Sequence, residues 1–337
     1  MTIPAAPFTH LPADWVGRPP GPQDVADLVD LRGRHETAAR GGTSGAADVA
    51  AEVTGPGAAV REHLIVRDPD DRARGWATVH DRAAGRVLVA VVVDPGLEGP
   101  VADALSTTLF DWAADAAAGL ARARGLSATQ LDSGAFEADP RQQAWLAAAG
   151  YSRVRTWWQM RRPVTDADSA IRVDDRVRPV RREHGGMPAE ADLLAVHDVL
   201  EQAFADHFNH HEETFDEFLA RLRADPGHRW DHWWLAEPRD GAPAGALVAS
   251  AVLDDEGRTT GSYVDYLGVL RSARGQGLAS ALLDAVVGDA ARRGRSSVAL
   301  EVDADSPTGA ADLYLSLGFV TRYVTQSWHR DLRVDET

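Results

Sequence analysis

The strongest constraint on how this 337-residue chain folds is a weak internal repeat with a period of about 168 residues. An apolar run at 86–93 (RVLVAVVV) reads as a buried strand, since unbroken Val suits a strand covered on both faces. A turn at Asp94-Pro95-Gly96 follows, then a helical stretch over 101–124 and a strand over 127–132. A helix then closes in Trp145-Leu146-Ala147-Ala148-Ala149-Gly150-Tyr151, before a strand over 154–160. The second half repeats this order: strand 262–269, turn, helix 278–293, strand 297–302, a helix ending Leu313-Tyr314-Leu315-Ser316-Leu317-Gly318-Phe319, and a strand over 321–329. Leu278, Leu282, Ala285 and Val286 share one helical face. Gly150 and Gly318 stand where a helix C-terminus takes a left-handed residue, each with an aromatic next to pack back.

Such an order makes the chain α/β (α+β), with two tandem domains, each a mixed twisted sheet flanked by helices. The polar, Pro-bearing stretch 163–172 reads as the linker, giving domains 1–165 and 166–337. The segment 236–245 reads as a hairpin turn, through Glu237-Pro238-Arg239-Asp240-Gly241.

Composition narrows the chemistry. The chain has no Cys and no Lys, which excludes disulfides, thiolate metal sites, a Cys nucleophile, Schiff-base chemistry and a Walker-type loop. With 35 basic and 51 acidic residues the net charge is −16, a field that repels nucleic acid. No segment approaches the roughly 18 apolar residues of a membrane span, and the start MTIPAAPFTHLPADW lacks the basic residue that precedes the apolar run of a signal peptide. The expectation is a soluble, cytoplasmic protein without nucleic-acid or membrane partners; oligomeric state is not legible.

The sharpest motif is Tyr266-Leu267-Gly268-Val269-Leu270-Arg271-Ser272-Ala273-Arg274-Gly275-Gln276-Gly277-Leu278-Ala279. A strand ends, a two-glycine turn follows and an amphipathic helix begins. Backbone N–H groups of such a turn converge on one concavity, and the helix dipole adds positive potential there. Gly275 and Gly277 remove Cβ atoms where phosphate oxygens approach the backbone, Ala279 stays small, and Arg271 and Arg274 add charge.

Arg274-x-x-Gly277-x-Ala279, entered from Leu-Gly-Val, resembles the acyl-CoA signature of the GNAT superfamily of N-acetyltransferases. The segment 301–319, EVDADSPTGAADLYLSLGF, resembles that family's second motif. The duplication resembles tandem GNAT proteins such as the mycothiol synthase type, without a basis for assigning a substrate. The resemblance implies acetyl-CoA as acyl donor and no metal. Backbone groups at Leu267, Gly268 and Val269 would meet the pantetheine arm. Arg274, Gly275, Gln276, Gly277, Leu278 and Ala279 would bind the pyrophosphate, with Arg271 beside them. Ser306 stands where the family often has Asn contacting the cofactor. Tyr314 matches the tyrosine that protonates or hydrogen-bonds the leaving sulfur.

Acetyl transfer to an amine also needs a base, because an alkyl amine is protonated below about pH 10.4. Asp265, flanked by Tyr263, Val264 and Tyr266, leads; Glu301 and Asp303 are lesser candidates. Asp206, His207 and Glu212 are candidate contacts to a cationic small-molecule amine. His207 and His211 share an i, i+4 spacing, but Phe208 stands where a zinc-binding HExxH helix has its Glu. Trp230, Trp233 and Trp234 could wall an acceptor site or fill the core. In the first copy Glu98 falls opposite Arg274, Val101 opposite Gly277 and Leu146 opposite Tyr314. That copy is expected to be degenerate and non-catalytic. The alternatives are a non-catalytic acyl-CoA-binding or sensor protein, or a protein or peptide N-acetyltransferase.

Overall fold

Twelve strands and eight helices order the described residues, among them the two strand–helix–strand–helix–strand runs foreseen from the repeat. The computed structural model describes residues 11–334 apart from 13, 41–45, 83–84, 184–185, 206–212, 239–240, 255 and 307–308. The first half holds β1 (Val16–Arg18), α1 (Val25–Arg40), α2 (Ala46–Val53), β2 (Arg61–Arg67), β3 (Ala73–Arg82), β4 (Arg86–Val93), α3 (Gly99–Ala123), β5 (Ala128–Phe136), α4 (Pro140–Ala148) and β6 (Ser152–Pro163). The second holds β7 (Val177–Pro179), α5 (Glu190–Phe204), α6 (Phe215–Arg223), β8 (Trp233–Ala236), β9 (Gly245–Leu253), β10 (Thr259–Val269), α7 (Leu278–Arg292), β11 (Ser297–Asp303), α8 (Ala310–Ser316) and β12 (Val320–Arg333).

The chain divides into two compact units, and the division departs from a single cut at 165. One unit runs to Trp157 and also takes the chain from Tyr323 onward; the other is Trp158–Arg322. β6 therefore begins in the first unit and ends in the second, and β12 does the reverse. The stretch 163–172 is not a linker. Thr165 opens a short 3-10 turn, Asp166–Ala170, and Asp168 accepts from Arg162 at 2.7 Å. Val164, Ile171 and Val173 pack on the core of the second unit. Polar composition misled here because three well-spaced apolar residues suffice to pin so short a segment.

In the first unit the sheet order is β1-β2-β3-β4-β5-β12. β4 pairs antiparallel with β3 in unbroken register from Gly75↔Val93 to Arg82↔Arg86, and parallel with β5 from Arg86↔Gln130 to Leu88↔Asp132. β12 pairs antiparallel with β5 from Thr325↔Phe136 to Arg333↔Ala128. In the second unit the order is β6-β11-β10-β9-β8-β7. One face carries α7, whose Leu278, Leu282, Ala285 and Val286 are all buried against Val264, Leu300 and Val302. The opposite face carries α5 and α6, with Leu193, Val196, Leu200, Phe218 and Leu222 packed on Trp233, Leu235 and Val248. The helix endings behave as expected: Gly150 and Gly318 take φ of 83° and 84°, and Tyr151 and Phe319 donate back to Leu146 and Tyr314 at 3.0 Å.

Gly268 is fixed by α5. A Cβ there would lie 2.9 Å from Ala203 Cβ and 3.0 Å from Leu200 Cδ2. Gly268→Val is expected to destabilise the chain by about 1–3 kcal/mol through overpacking, read as a lower urea midpoint; an unchanged midpoint would mean that α5 moves freely.

Candidate active site

The site grows from an irregularity in β10. Its register with β9 shifts between Val264↔Ala249 and Tyr266↔Val248, leaving Asp265 as the extra residue of a bulge. Alternation would send Asp265 and Tyr266 to opposite faces. With the bulge both leave the α7 side: Tyr266 packs with the α5–α6 core, and Asp265 accepts from Ser250 Oγ at 3.3 Å. Val264 and Leu267, before and after them, belong to the α7 side.

Beyond the bulge β10 parts from β11. The parallel register runs only from Ser262↔Val298 to Val264↔Leu300. On its other edge β10 stays zipped to β9, and Leu270 N donates to Ala244 O at 2.8 Å. By alternation Gly268 then turns its peptide groups to β9, and Leu267 and Val269 turn theirs into the gap. An extended chain entering the gap meets backbone donors and acceptors there. Gly268 supplies space for α5 rather than a donor.

The gap leads into the glycine turn. After a 3-10 turn at Arg271–Ala273, Gly275 and Gly277 take φ of 78° and 77°, and Gly277 is the left-handed N-cap of α7. A Cβ on either glycine would meet nothing within 4 Å, so left-handed backbone, not crowding, is what needs glycine. The first-turn amides of α7, from Leu278 and Ala279 onward, open into this concavity. Arg271 and Arg274 are exposed beside it, and Arg274 Nε lies 3.4 Å from Val269 O. The open turn, its amides and the unzipped strand edge fit a diphosphate carried on an extended, amide-bearing arm.

Asp265 is perturbed in a way that suits proton transfer. Burial, reinforced by the negative charge of Asp225, pushes its pKa from 3.8 up to about 7, against the opposing effects of Ser250 and Arg221. Its Oδ2 is buried and finds no partner among the described residues. Asp225 is pinned by accepting from Gly227 N at 2.7 Å, and that turn docks on β9 where Ala251 N donates to Gly227 O at 2.7 Å. Arg221 of α6 donates to Tyr266 Oη at 2.6 Å and forks onto Glu213 at 2.8 and 2.6 Å. Ser250, Asp225, Arg221 and Glu213 escaped sequence reading because tertiary packing alone assembles them. Only the capping box at Thr214-x-x-Glu217, which starts α6, was a local signal.

Tyr314 is buried on α8 in the α7-side core, its ring 5.9 Å from Phe319, and burial pushes its pKa up to about 12. It does not share a face with Asp265. Ser306 lies in the turn after β11, its N–H donating to Asp303 O at 3.2 Å. Asp303 is buried and accepts from Asp305 N at 2.9 Å, a turn-forming role. Glu301 is exposed and accepts from Gln159 Nε2. Trp233 and Trp234 are core residues, and Trp230 packs tilted against Trp233 with centroids 5.2 Å apart. Asp206, His207, His211 and Glu212 lie outside the described residues. Among the described residues no group of three or more His, Asp or Glu could hold a metal, and no helix is long and apolar enough to cross a membrane.

The first unit shows the same gap, filled. β4 also parts from β5 after Leu88↔Asp132, and Asp94 N donates to Arg74 O as Leu270 does to Ala244. The inward carbonyl of Val91, however, lies 3.5 Å from Gln142 Nε2 of α4. In the following turn Asp94 Oδ1 accepts from Gly96 N at 3.0 Å, and its Oδ2 accepts from Arg74 Nη1 at 2.7 Å. β4 also lacks the bulge, so no residue corresponds to Asp265 in geometry.

Residues 193–319 match the model of the acetyltransferase (GNAT) family. A mycothiol acetyltransferase of Thermobispora bispora is 34% identical over 189 residues, covering 55% of this chain and 60% of that protein. One of Thermomonospora curvata is 37% identical over 181 residues, covering 53% and 56%. The chain thus spans about three fifths of the length of the curated relatives it matches. Among solved structures, a GCN5-related N-acetyltransferase from Sphaerobacter thermophilus shares the fold with a TM-score of 0.75 at 23% identity, covering 96% of this chain and 97% of that one. A tandem GNAT protein from the clavulanic acid biosynthesis pathway shares it with a TM-score of 0.68 at 17% identity, covering 96% and 100%. The tandem, mixed-sheet fold expected from the repeat is the fold of these neighbours.

The perturbed carboxylate has a cost in stability. An acid whose pKa is raised on folding favours the folded state fully below its unfolded value, and that contribution is lost as pH rises through about 7. Asp265→Asn is expected to stabilise the chain by about 2 kcal/mol at pH 8 and to change little at pH 4. Urea unfolding at the two pH values checks this; a loss at pH 8 would mark the carboxylate as a structural ion.

Proposed function

From a chain that carries a GNAT-family domain over residues 193–319, we propose an acetyl-CoA-dependent N-acetyltransferase that moves an acetyl group to an amine of a small molecule. The observation that carries this is the continuity of the unzipped β10 edge with the left-handed glycine turn at the start of α7. The amides of the turn and Arg271 and Arg274 hold the diphosphate. The peptide groups of Leu267 and Val269 hold the arm, with a β10 amide stabilising the oxyanion as it develops. When bound, acetyl-CoA supplies an activated thioester.

Asp265 and Tyr314 divide the remaining work by face. Asp265, at about 7 with a buried free oxygen, takes the proton of an incoming ammonium, directly or through water. Attack is direct, within a ternary complex, since the chain has no Cys to carry an acyl group. Tyr314, on the other face, keeps its proton at neutral pH. A thiolate with a reference pKa of about 8.5 is too weak a base to take a proton from a phenol at about 12. Tyr314 therefore acts as a hydrogen-bond donor to the departing sulfur rather than as a full acid. Ser306 offers a hydroxyl to the cofactor. The first unit is a non-catalytic partner: Gln142 reaches the Val91 carbonyl in its gap, and β4 lacks the bulge that carries Asp265 in β10.

The acceptor face carries Asp265 and Asp225, which suits a cationic amine. Thiol release from acetyl-CoA, with an amine panel that includes the acceptor of the mycothiol acetyltransferases, tests the proposal. The profile of kcat/KM should rise through an apparent pKa near 7, and Asp265→Asn should lose that limb with at least about a 100-fold drop in rate. Tyr314→Phe should lower kcat about 10–100-fold, the worth of one hydrogen bond to a charged sulfur. Binding of acetyl-CoA with no amine-dependent thiol release would mark a binding protein instead.

A further inference from the structure

The glycine turn contains a peptide that nothing in the turn itself holds in place. Gln276 sits between Gly275 and Gly277, both left-handed. With glycine on each side, the peptide plane joining Gln276 to Gly277 can flip at low steric cost. Its carbonyl is gripped from a hundred residues upstream: Arg176 Nη1 donates to Gln276 O at 2.9 Å. The guanidinium is itself fixed. Asp174 accepts from Arg176 Nε at 3.0 Å, from Nη2 at 2.7 Å and from the Arg176 backbone N at 2.9 Å. The Arg176 carbonyl accepts from Glu237 N at 2.8 Å, tying the lead-in of β7 to the end of β8.

A trans peptide directs its C=O and N–H to opposite sides, and no cis peptide occurs among the described residues. Holding the Gln276 carbonyl toward Arg176 therefore turns the Gly277 N–H away from it. We propose that Arg176, clamped by Asp174, is a positioning residue for the donor site: it locks the Gln276–Gly277 peptide so that the Gly277 amide faces the diphosphate of acetyl-CoA. Its role is to fix a dipole. A bidentate contact already engages its charge with Asp174, and Arg271 and Arg274 flank the turn separately. Arg fits this task better than Lys, because one planar group must serve Asp174 and the carbonyl at once.

This inference rests on the reading of the turn as a diphosphate site, and the test separates the two. Calorimetry of CoA binding to the full chain is expected to give a Kd about tenfold weaker for Arg176→Ala, with partial recovery in Arg176→Lys. In turnover, the Arg176→Ala loss in kcat/KM should be about tenfold with acetyl-CoA. It should stay within twofold with S-acetylpantetheine, which lacks the diphosphate. Asp174→Ala, which frees the guanidinium to swing, should weaken CoA binding in the same direction. Arg176→Ala binding CoA within twofold of wild type, or equal losses with both donors, overturns the positioning role. A wild-type chain that binds no CoA overturns the donor-site reading and this inference with it.

Discussion

The parting of β10 from β11 is the constraint on which the second unit's chemistry rests. A parallel pair that stayed zipped would satisfy the peptide groups of Leu267 and Val269 within the sheet and leave nothing for a ligand to bind. Register instead stops at Val264↔Leu300 while β9 holds the other edge of β10 to Val269↔Gly245. The strand stays rigid because one side remains paired to β9, and on the other side it is released from β11, with Arg274 Nε 3.4 Å from Val269 O. One residue past the last parallel pair, the bulge turns Asp265 and then Tyr266 toward α5 and α6.

The first unit shows that parting alone is not enough. β4 leaves β5 after the corresponding three pairs, yet Gln142 reaches the Val91 carbonyl, and Asp94 bonds its carboxylate to Gly96 N and Arg74. In the first unit a helix side chain, Gln142, reaches that edge at Val91 O, and in the second Arg274 of the glycine turn reaches it at Val269 O. Buried backbone groups must find partners, and the Val91 carbonyl finds one in Gln142. Gln142 on the Val91 carbonyl and the missing bulge in β4 mark the difference between the two units.

Electrostatics reconcile an acidic chain with the diphosphate site proposed for its glycine turn. A net charge of −16 disfavours phosphate at long range, but screening reduces that field within about 10 Å at ordinary ionic strength. Inside that distance the oriented amides of the turn, the α7 N-terminus and nearby guanidiniums dominate. The same acidity is turned inward on the opposite face, where Asp225 and burial raise Asp265 toward neutrality.

Much of the framework was legible in the chain. The Val run of β4, the 3.6-residue spacing of α7, the glycines at 150 and 318 and the glycine turn are local signals, and each lies where it was expected. The strand carrying Asp265 and the turn from Arg274 to Ala279 were likewise read from neighbours in sequence. The bulge was not, because a one-residue register shift depends on the partner strand and leaves no mark in alternation of its own. Ser250, Asp225, Arg221 and Arg176 were not, because each acts on a residue between 15 and 100 positions away. The stretch 163–172 looked like a linker by polarity and became a packed segment through Val164, Ile171 and Val173. Sequence determined which elements form and where the glycine turn begins, since helices, caps and turns depend on contacts a few residues apart. Only the tertiary structure decided which peptide groups stay unpaired, which carboxylate is held near neutrality and which half of the duplication is closed, since those depend on what long-range packing satisfies and what it leaves open.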